Sequence, residues 1–178
     1  MTTTPSPMKK IAIGAALTLL GSMALSGLAR AADNYDQTFL AKAADSGSTE
    51  IAASKIAQTK GSTPEVKTFA ESMVTDHTKV AEELKQLAAS KKITVSDEPS
   101  KPHQAEIGKL NGLDGKKFDQ EYAKKIGVDA HKDAVKLFTE ASKKASDPDV
   151  KAFAAKTLPA LEHHLQMANE LHAAVNKH

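Results

Sequence analysis

The sequence predicts an all-α fold in which four long helices form a four-helix bundle. Three observations lead to this prediction. Apolar residues recur with helical spacing over four long segments of the chain. Proline and glycine fall mainly between those segments, where they mark turns. The sequence Pro-Glu-Val-Lys-Thr-Phe-Ala at residues 64–70 recurs as Pro-Asp-Val-Lys-Ala-Phe-Ala at residues 148–154. The two halves therefore look like repeated helical hairpins.

Residues 1–31 are expected to be a signal peptide that is removed. A Lys-Lys pair precedes an apolar stretch at residues 11–28, and Ala29-Arg30-Ala31 has the A-x-A pattern of a cleavage site. The stretch is broken by glycine and is shorter than the roughly 20 apolar residues that a membrane span needs. We expect the mature domain to be residues 32–178, periplasmic or secreted, with no membrane insertion after signal removal.

Composition excludes several classes of protein. The chain has no cysteine, so it forms no disulfide and carries no lipid anchor on cysteine. Of its 24 basic residues, Lys9, Lys10 and Arg30 belong to the predicted signal, which has none of the 22 acidic residues. The mature domain is therefore close to neutral, which gives no reason to expect nucleic acid or an anionic membrane as partner.

The first hairpin is expected to comprise residues 34–60 and a second helix that ends near Lys91. Gly61 and Ser62 end the first helix. Thr63 then caps the second helix, and Pro64 occupies its first position, where a missing N–H costs nothing.

The second hairpin follows a long connection at residues 92–115, which should contain a short helix near residues 102–110. A third helix is expected over residues 116–145. Asp147 caps the fourth helix, and Pro159 should kink it. Two hairpins joined by one long connection are typical of ferritin-like bundles.

One polar side chain on each long helix falls on the apolar face, although that of the third helix lies toward the edge of a broad face: Glu50, His77, His131 and His164. Glu50 and His77 lie about 11 and 13 residues from the first turn, and the two other histidines lie about 16 residues from the second, so each pair stands at a similar height. Asp76 lies at the rim of its helix face, where it either orients His77 or, as we expect, faces solvent.

Three imidazoles and one carboxylate suit a single zinc, copper, iron or manganese ion. The alternative is that the histidines are hydrogen-bonded core residues and that Glu50 and His77 form a buried pair that fixes register. A di-iron centre would need Glu-x-x-His on two helices. Val74, Val128 and Leu161 occupy the glutamate positions instead.

The chain resembles a bacterial exported family known as domain of unknown function 4142. The resemblance lies in residues 69–77, residues 115–122 with Phe118-Asp119, His131, residues 153–159 and His164-Leu165, and it covers nearly the whole mature chain. It implies a ferritin-like, secreted protein. Members of the family are often labelled putative outer membrane proteins, and the family brings no established activity.

These observations favour a soluble periplasmic bundle that binds one metal ion in its core, for storage, buffering or stress protection. A metal-free structural or interaction module is the first alternative, and a ferritin-like redox enzyme is the second. No phosphate-binding loop or nucleophile motif is present in the sequence, so a non-enzymatic role is favoured.

Overall fold

The computed structural model describes residues 1, 2 and 23–177, and over this part of the chain it contains helices and no strand. The prediction of an all-α fold is confirmed. The elements are α1 (Met23–Lys60), α2 (Pro64–Ser90), α3 (Lys101–Asn111), α4 (Gly115–Tyr122), a π-helical segment (Ala123–Asp129), α5 (Ala130–Lys144) and α6 (Pro148–Asn176).

The predicted signal peptide lies mainly outside the described residues. Helix α1 begins at Met23, earlier than the expected start at residue 34, so the predicted cleavage position after Ala31 falls within this helix. Over the described residues, no helix combines the length and the apolar character needed to cross a bilayer.

Local sequence signals start helices α2 and α6 as expected. The Thr63 hydroxyl accepts a hydrogen bond from the amide of Val66, and Pro64 is the first residue of α2. The Asp147 carboxylate accepts hydrogen bonds from the amides of Asp149 and Val150, at 2.8 and 3.2 Å. These caps satisfy amides that have no partner within the helix.

The third long helix is not the single regular α-helix that the sequence predicted. It runs as α4, then the π-helical segment, then α5. The π-helical segment packs against α6, and a Cβ added at Gly127 would lie 3.1 Å from the Cβ of Ala168. The irregularity is therefore linked to a close approach between helices, which spacing along one helix cannot reveal.

The helices pack as two pairs. α1 packs along α2, and α5 with the π-helical segment packs along α6. The pairs meet where α2 contacts α6 and where α1 contacts α5, while α3 lies against α1 and α4.

Two apolar clusters form the core, and a polar layer lies between them. Phe69, Phe118 and Tyr122 belong to the first cluster, and Phe39 and Phe138 belong to the second. The polar layer consists of the predicted polar residues of the four long helices, each of which lies in sequence between a residue of one cluster and a residue of the other. The polar residues and their flanking residues are Glu50 between Ala43 and Ala53, His77 between Met73 and Leu84, His131 between Val128 and Ala134, and His164 between Leu161 and Ala168.

Buried aspartates tie each turn to the opposite helix pair. Asp36 of α1 accepts hydrogen bonds from the amides of Ser146 and Asp147, at 3.0 and 2.8 Å. Asp119 of α4 accepts hydrogen bonds from the amide of Ser62, at 3.0 Å, and from its hydroxyl. The two helix pairs are thus joined at both turns by polar contacts as well as by packing.

Candidate metal centre

Three histidines from three different helices meet in the polar layer. The ring centroids of His77 and His131 are 5.4 Å apart, those of His77 and His164 are 5.2 Å apart, and those of His131 and His164 are 5.6 Å apart. One ring nitrogen from each histidine lies within 4.8 Å of the others. The three residues are at most 4% exposed, so the inward orientation that helical spacing predicted is what the structure shows.

Glu50 is buried in the same layer, only 2% exposed, but it stands behind His77. Its Oε2 lies 2.9 Å from Nδ1 of His77, and its Oε1 accepts a long hydrogen bond from the Ser46 hydroxyl, at 3.5 Å. The converging group comprises the three histidines. The buried Glu50–His77 pair that the sequence analysis considered as an alternative is thus present, next to the histidine cluster.

His131 is oriented by the π-helical segment just before it. Its Nδ1 lies 2.8 Å from the carbonyl oxygen of Gly127 and 3.1 Å from that of Ile126. A carbonyl oxygen only accepts hydrogen bonds, so Nδ1 carries the proton and Nε2 is left with a free lone pair. The irregular helix therefore sets the tautomer of this histidine.

His164 is oriented by Asp76, which sequence reasoning expected in solvent. Nε2 of His164 lies 3.2 Å from Oδ2 of Asp76 across the contact between α2 and α6. Asp76 is half-exposed, and its other oxygen lies 3.7 Å from Nζ of Lys79. Asp76 precedes His77 in sequence but serves the histidine of another helix, and no signal within α2 alone could have shown this.

One nitrogen of each histidine has no partner. Nε2 of His77, Nε2 of His131 and Nδ1 of His164 are fully buried and make no hydrogen bond with any described residue. An unsatisfied buried polar group costs about 1–3 kcal/mol, and such groups are rare in folded proteins. Three of them in one cluster point to a shared partner.

The charges of the layer follow from burial and from the nearby carboxylate. Burial lowers the pKa of His131, and burial together with repulsion from His77 and His131 lowers the pKa of His164 to about 4. Burial also disfavours the charged forms of Glu50 and His77, but the attraction between the two groups outweighs this effect. The attraction raises the pKa of His77 and lowers the pKa of Glu50. Burial therefore favours neutral imidazole at His131 and His164, while attraction between opposite charges strengthens the contact of Glu50 with His77.

The donor set fits a borderline metal ion. Neutral imidazole is a common ligand of zinc and copper. Nitrogens bound to a tetrahedral zinc ion at about 2.0–2.1 Å lie about 3.3 Å apart. The rings would therefore move inward by about 1 Å to enclose an ion.

Glu50 is also the residue of the layer that borders open space on two sides. With His77 it lines a cavity of about 370 Å³ between α1 and α2, whose wall is otherwise mainly apolar. It also lines a cavity of about 730 Å³ beside α3 and α5, where Asp45, Asp129 and Asp133 are found. Both cavities thus reach the layer at Glu50.

A family model described as "Domain of unknown function (DUF4142)" matches residues 23–171. The matched range includes the three histidines and both carboxylates that contact them. Neither a curated protein nor a solved structure gives a significant match to the chain.

Proposed function

We propose that this chain, which belongs to the family described as domain of unknown function 4142, binds one transition-metal ion through His77, His131 and His164. The observation that carries this proposal is the group of three buried ring nitrogens without partners. A single ion would satisfy all three at once. Glu50, which was predicted to be the fourth ligand, is not one of the ligands in this proposal. It contacts Nδ1 of His77, on the side of the ring that faces away from the ion.

The second contact of each histidine supports this reading. Metal-binding histidines usually donate their other N–H to a carboxylate or a backbone carbonyl, which fixes the ring and raises its basicity. Glu50 contacts His77, Asp76 contacts His164, and the π-helical segment contacts His131. Zinc and copper fit three imidazoles best among the four candidate metals.

We infer that the fold is a ferritin-like four-helix bundle. The packing of the helices in two pairs supports this, as does the long connection that holds α3 between the pairs. The layer contains three histidines and one glutamate, which is a poor match to the carboxylate-rich di-iron centres of such bundles. The proposed function is therefore ion binding, in storage, buffering or stress protection.

We propose that the protein acts after export, with residues 1–31 removed. The sequence support is the Lys-Lys start, the glycine-broken apolar stretch and the A-x-A pattern ending at Ala31. Amino-terminal sequencing of protein recovered from the periplasm should start at Ala32. An intact amino terminus on that protein would contradict export by cleavage.

One observation favours the alternative of a metal-free structural module. The Glu50 carboxylate and the His77 ring are already in buried contact at 2.9 Å, and a buried pair of this kind can fix the register of packed helices. A structural role for this pair does not explain the three buried histidine nitrogens that have no partner among the described residues. The metal-binding and the metal-free proposals therefore differ in whether those nitrogens bind an ion.

Equilibrium dialysis against Zn²⁺ and Cu²⁺, after treatment with chelator, tests the proposal. The wild-type protein should retain about one ion per chain, and His77→Ala and His131→Ala should retain almost none. His163→Ala is the matched control, because His163 is exposed on the same helix as His164, and it should bind like wild type. No bound ion in wild type, or equal binding in all variants, would overturn the proposal.

A further inference from the structure

We infer that Glu50 and Asp76 are positioning residues that make the histidine cluster selective for a divalent over a monovalent cation. The inference rests on the proposed function, but it concerns residues that do not touch the ion. It follows from which ring nitrogens already contact protein groups, and from the charged groups among those contacts.

The occupied nitrogens determine how each histidine faces the ion. Glu50 occupies Nδ1 of His77, so that ring coordinates through Nε2. Asp76 occupies Nε2 of His164, so that ring coordinates through Nδ1. His131 coordinates through Nε2, because backbone carbonyls occupy its Nδ1.

The three ligands themselves contribute no charge, because coordinating imidazole is neutral. Two of them are backed by a carboxylate each, and the third is backed by uncharged carbonyl groups. The near surroundings therefore supply negative charge behind two of the three ligands. A divalent cation in the cluster gains more Coulomb energy from this charge than a monovalent cation does.

The two carboxylates do not contribute equally. Glu50 is 2% exposed, so solvent screens its charge little. Asp76 is half-exposed and shares its charge with Lys79, whose Nζ lies 3.7 Å from Oδ1. Removing the charge of Glu50 should therefore affect an ion in the cluster more than removing that of Asp76.

The test measures the Kd of Zn²⁺ and of Ag⁺, as divalent and monovalent probes, on the full chain and its variants. Glu50→Gln keeps the shape and an acceptor for His77 but removes the charge. Loss of an outer partner of a metal ligand typically weakens binding 10–100-fold, which we expect for Zn²⁺. Because Coulomb energy scales with the charge of the ion, Ag⁺ binding should weaken only about 3–10-fold. The ratio of the two Kd values should therefore shift by about 3–10-fold.

Asp76→Asn provides a second variant, at a half-exposed position. It should shift the ratio in the same direction by a smaller factor. Glu65→Gln is the matched control, since this exposed carboxylate lies 12 residues before His77, about 18 Å along α2. It should leave both Kd values unchanged.

Each outcome bears on one claim. A Zn²⁺ to Ag⁺ ratio that shifts in Glu50→Gln but not in Glu65→Gln supports the inference. Equal weakening of both ions would show that Glu50 only orients the ring and would overturn charge selection, as would unchanged Zn²⁺ binding. If wild type binds neither ion, it is the proposed function itself that fails.

Discussion

At the scale of single residues, each histidine in the polar layer divides its two ring nitrogens between two tasks. One nitrogen contacts a protein acceptor, and the other is buried without a partner. Helical spacing alone predicted that all three rings face inward. It could not predict that Asp76 contacts His164, because that contact joins two helices whose relative rotation is set by packing.

The lowered pKa of His164 predicts acid sensitivity in the metal-free protein. A group with pKa about 4 in the folded state and about 6.5 in the unfolded state binds its proton first in the unfolded state. Unfolding is therefore favoured as pH falls through 6.5, and the loss continues down to about pH 4. Between pH 7 and pH 5 this residue should account for about 2 kcal/mol of lost unfolding free energy.

Urea denaturation at pH 7 and pH 5, with chelator present, measures this effect. His164→Gln should lose less stability than wild type over the same interval, because glutamine has no proton to gain. His163→Ala, at the neighbouring exposed position, should behave like wild type. Parallel losses in wild type and His164→Gln would contradict the assignment of a neutral, buried His164.

At the scale of elements, the π-helical segment is the feature that sequence reasoning missed. The periodicity of apolar residues predicted a helix over residues 116–145, and the described helix runs through nearly the same range. What differs is its hydrogen bonding over Ala123–Asp129, next to the close contact of Gly127 with Ala168. A contact between distant parts of the chain leaves no mark in local spacing.

Gly127→Ala tests the importance of that contact. Alanine normally stabilises a helix by up to about 1 kcal/mol over glycine, but here its Cβ would meet Ala168 at 3.1 Å. We expect a net loss of about 1–2 kcal/mol in unfolding free energy, because overpacking costs about 1–3 kcal/mol. Zn²⁺ binding should weaken as well, since the carbonyl of residue 127 orients His131.

Gly108→Ala is the matched control for this substitution. Gly108 is in α3, and a Cβ added there meets nothing within 4 Å. It should leave Zn²⁺ binding unchanged and stabilise the protein slightly. Denaturation curves and Zn²⁺ titrations of both variants compare the two positions. Equal effects would show that the approach of the π-helical segment to α6 places no demand on residue 127.

At the scale of the whole molecule, two helix pairs enclose a polar layer between two apolar clusters. The turn signals at Thr63, Pro64 and Asp147 were enough to predict where α2 and α6 begin. Helical spacing predicted that Glu50 and the three histidines face the core, but it could not predict that the Glu50–His77 pair meets the two other histidines. The crossed contacts of Asp36 and Asp119 with the opposite turns were not predicted. They depend on how the two pairs are placed against each other, which the sequence of either pair alone does not contain.

The central claim is that this layer holds one ion between three imidazoles, and X-ray absorption at the zinc edge of protein loaded with one equivalent of Zn²⁺ tests it most directly. We predict three imidazole nitrogens about 2.0–2.1 Å from the ion in wild type, and loss of this three-imidazole signal in His77→Ala, which should retain almost no ion. A ligand shell made only of oxygen atoms, or a spectrum that His77→Ala leaves unchanged, would contradict the claim.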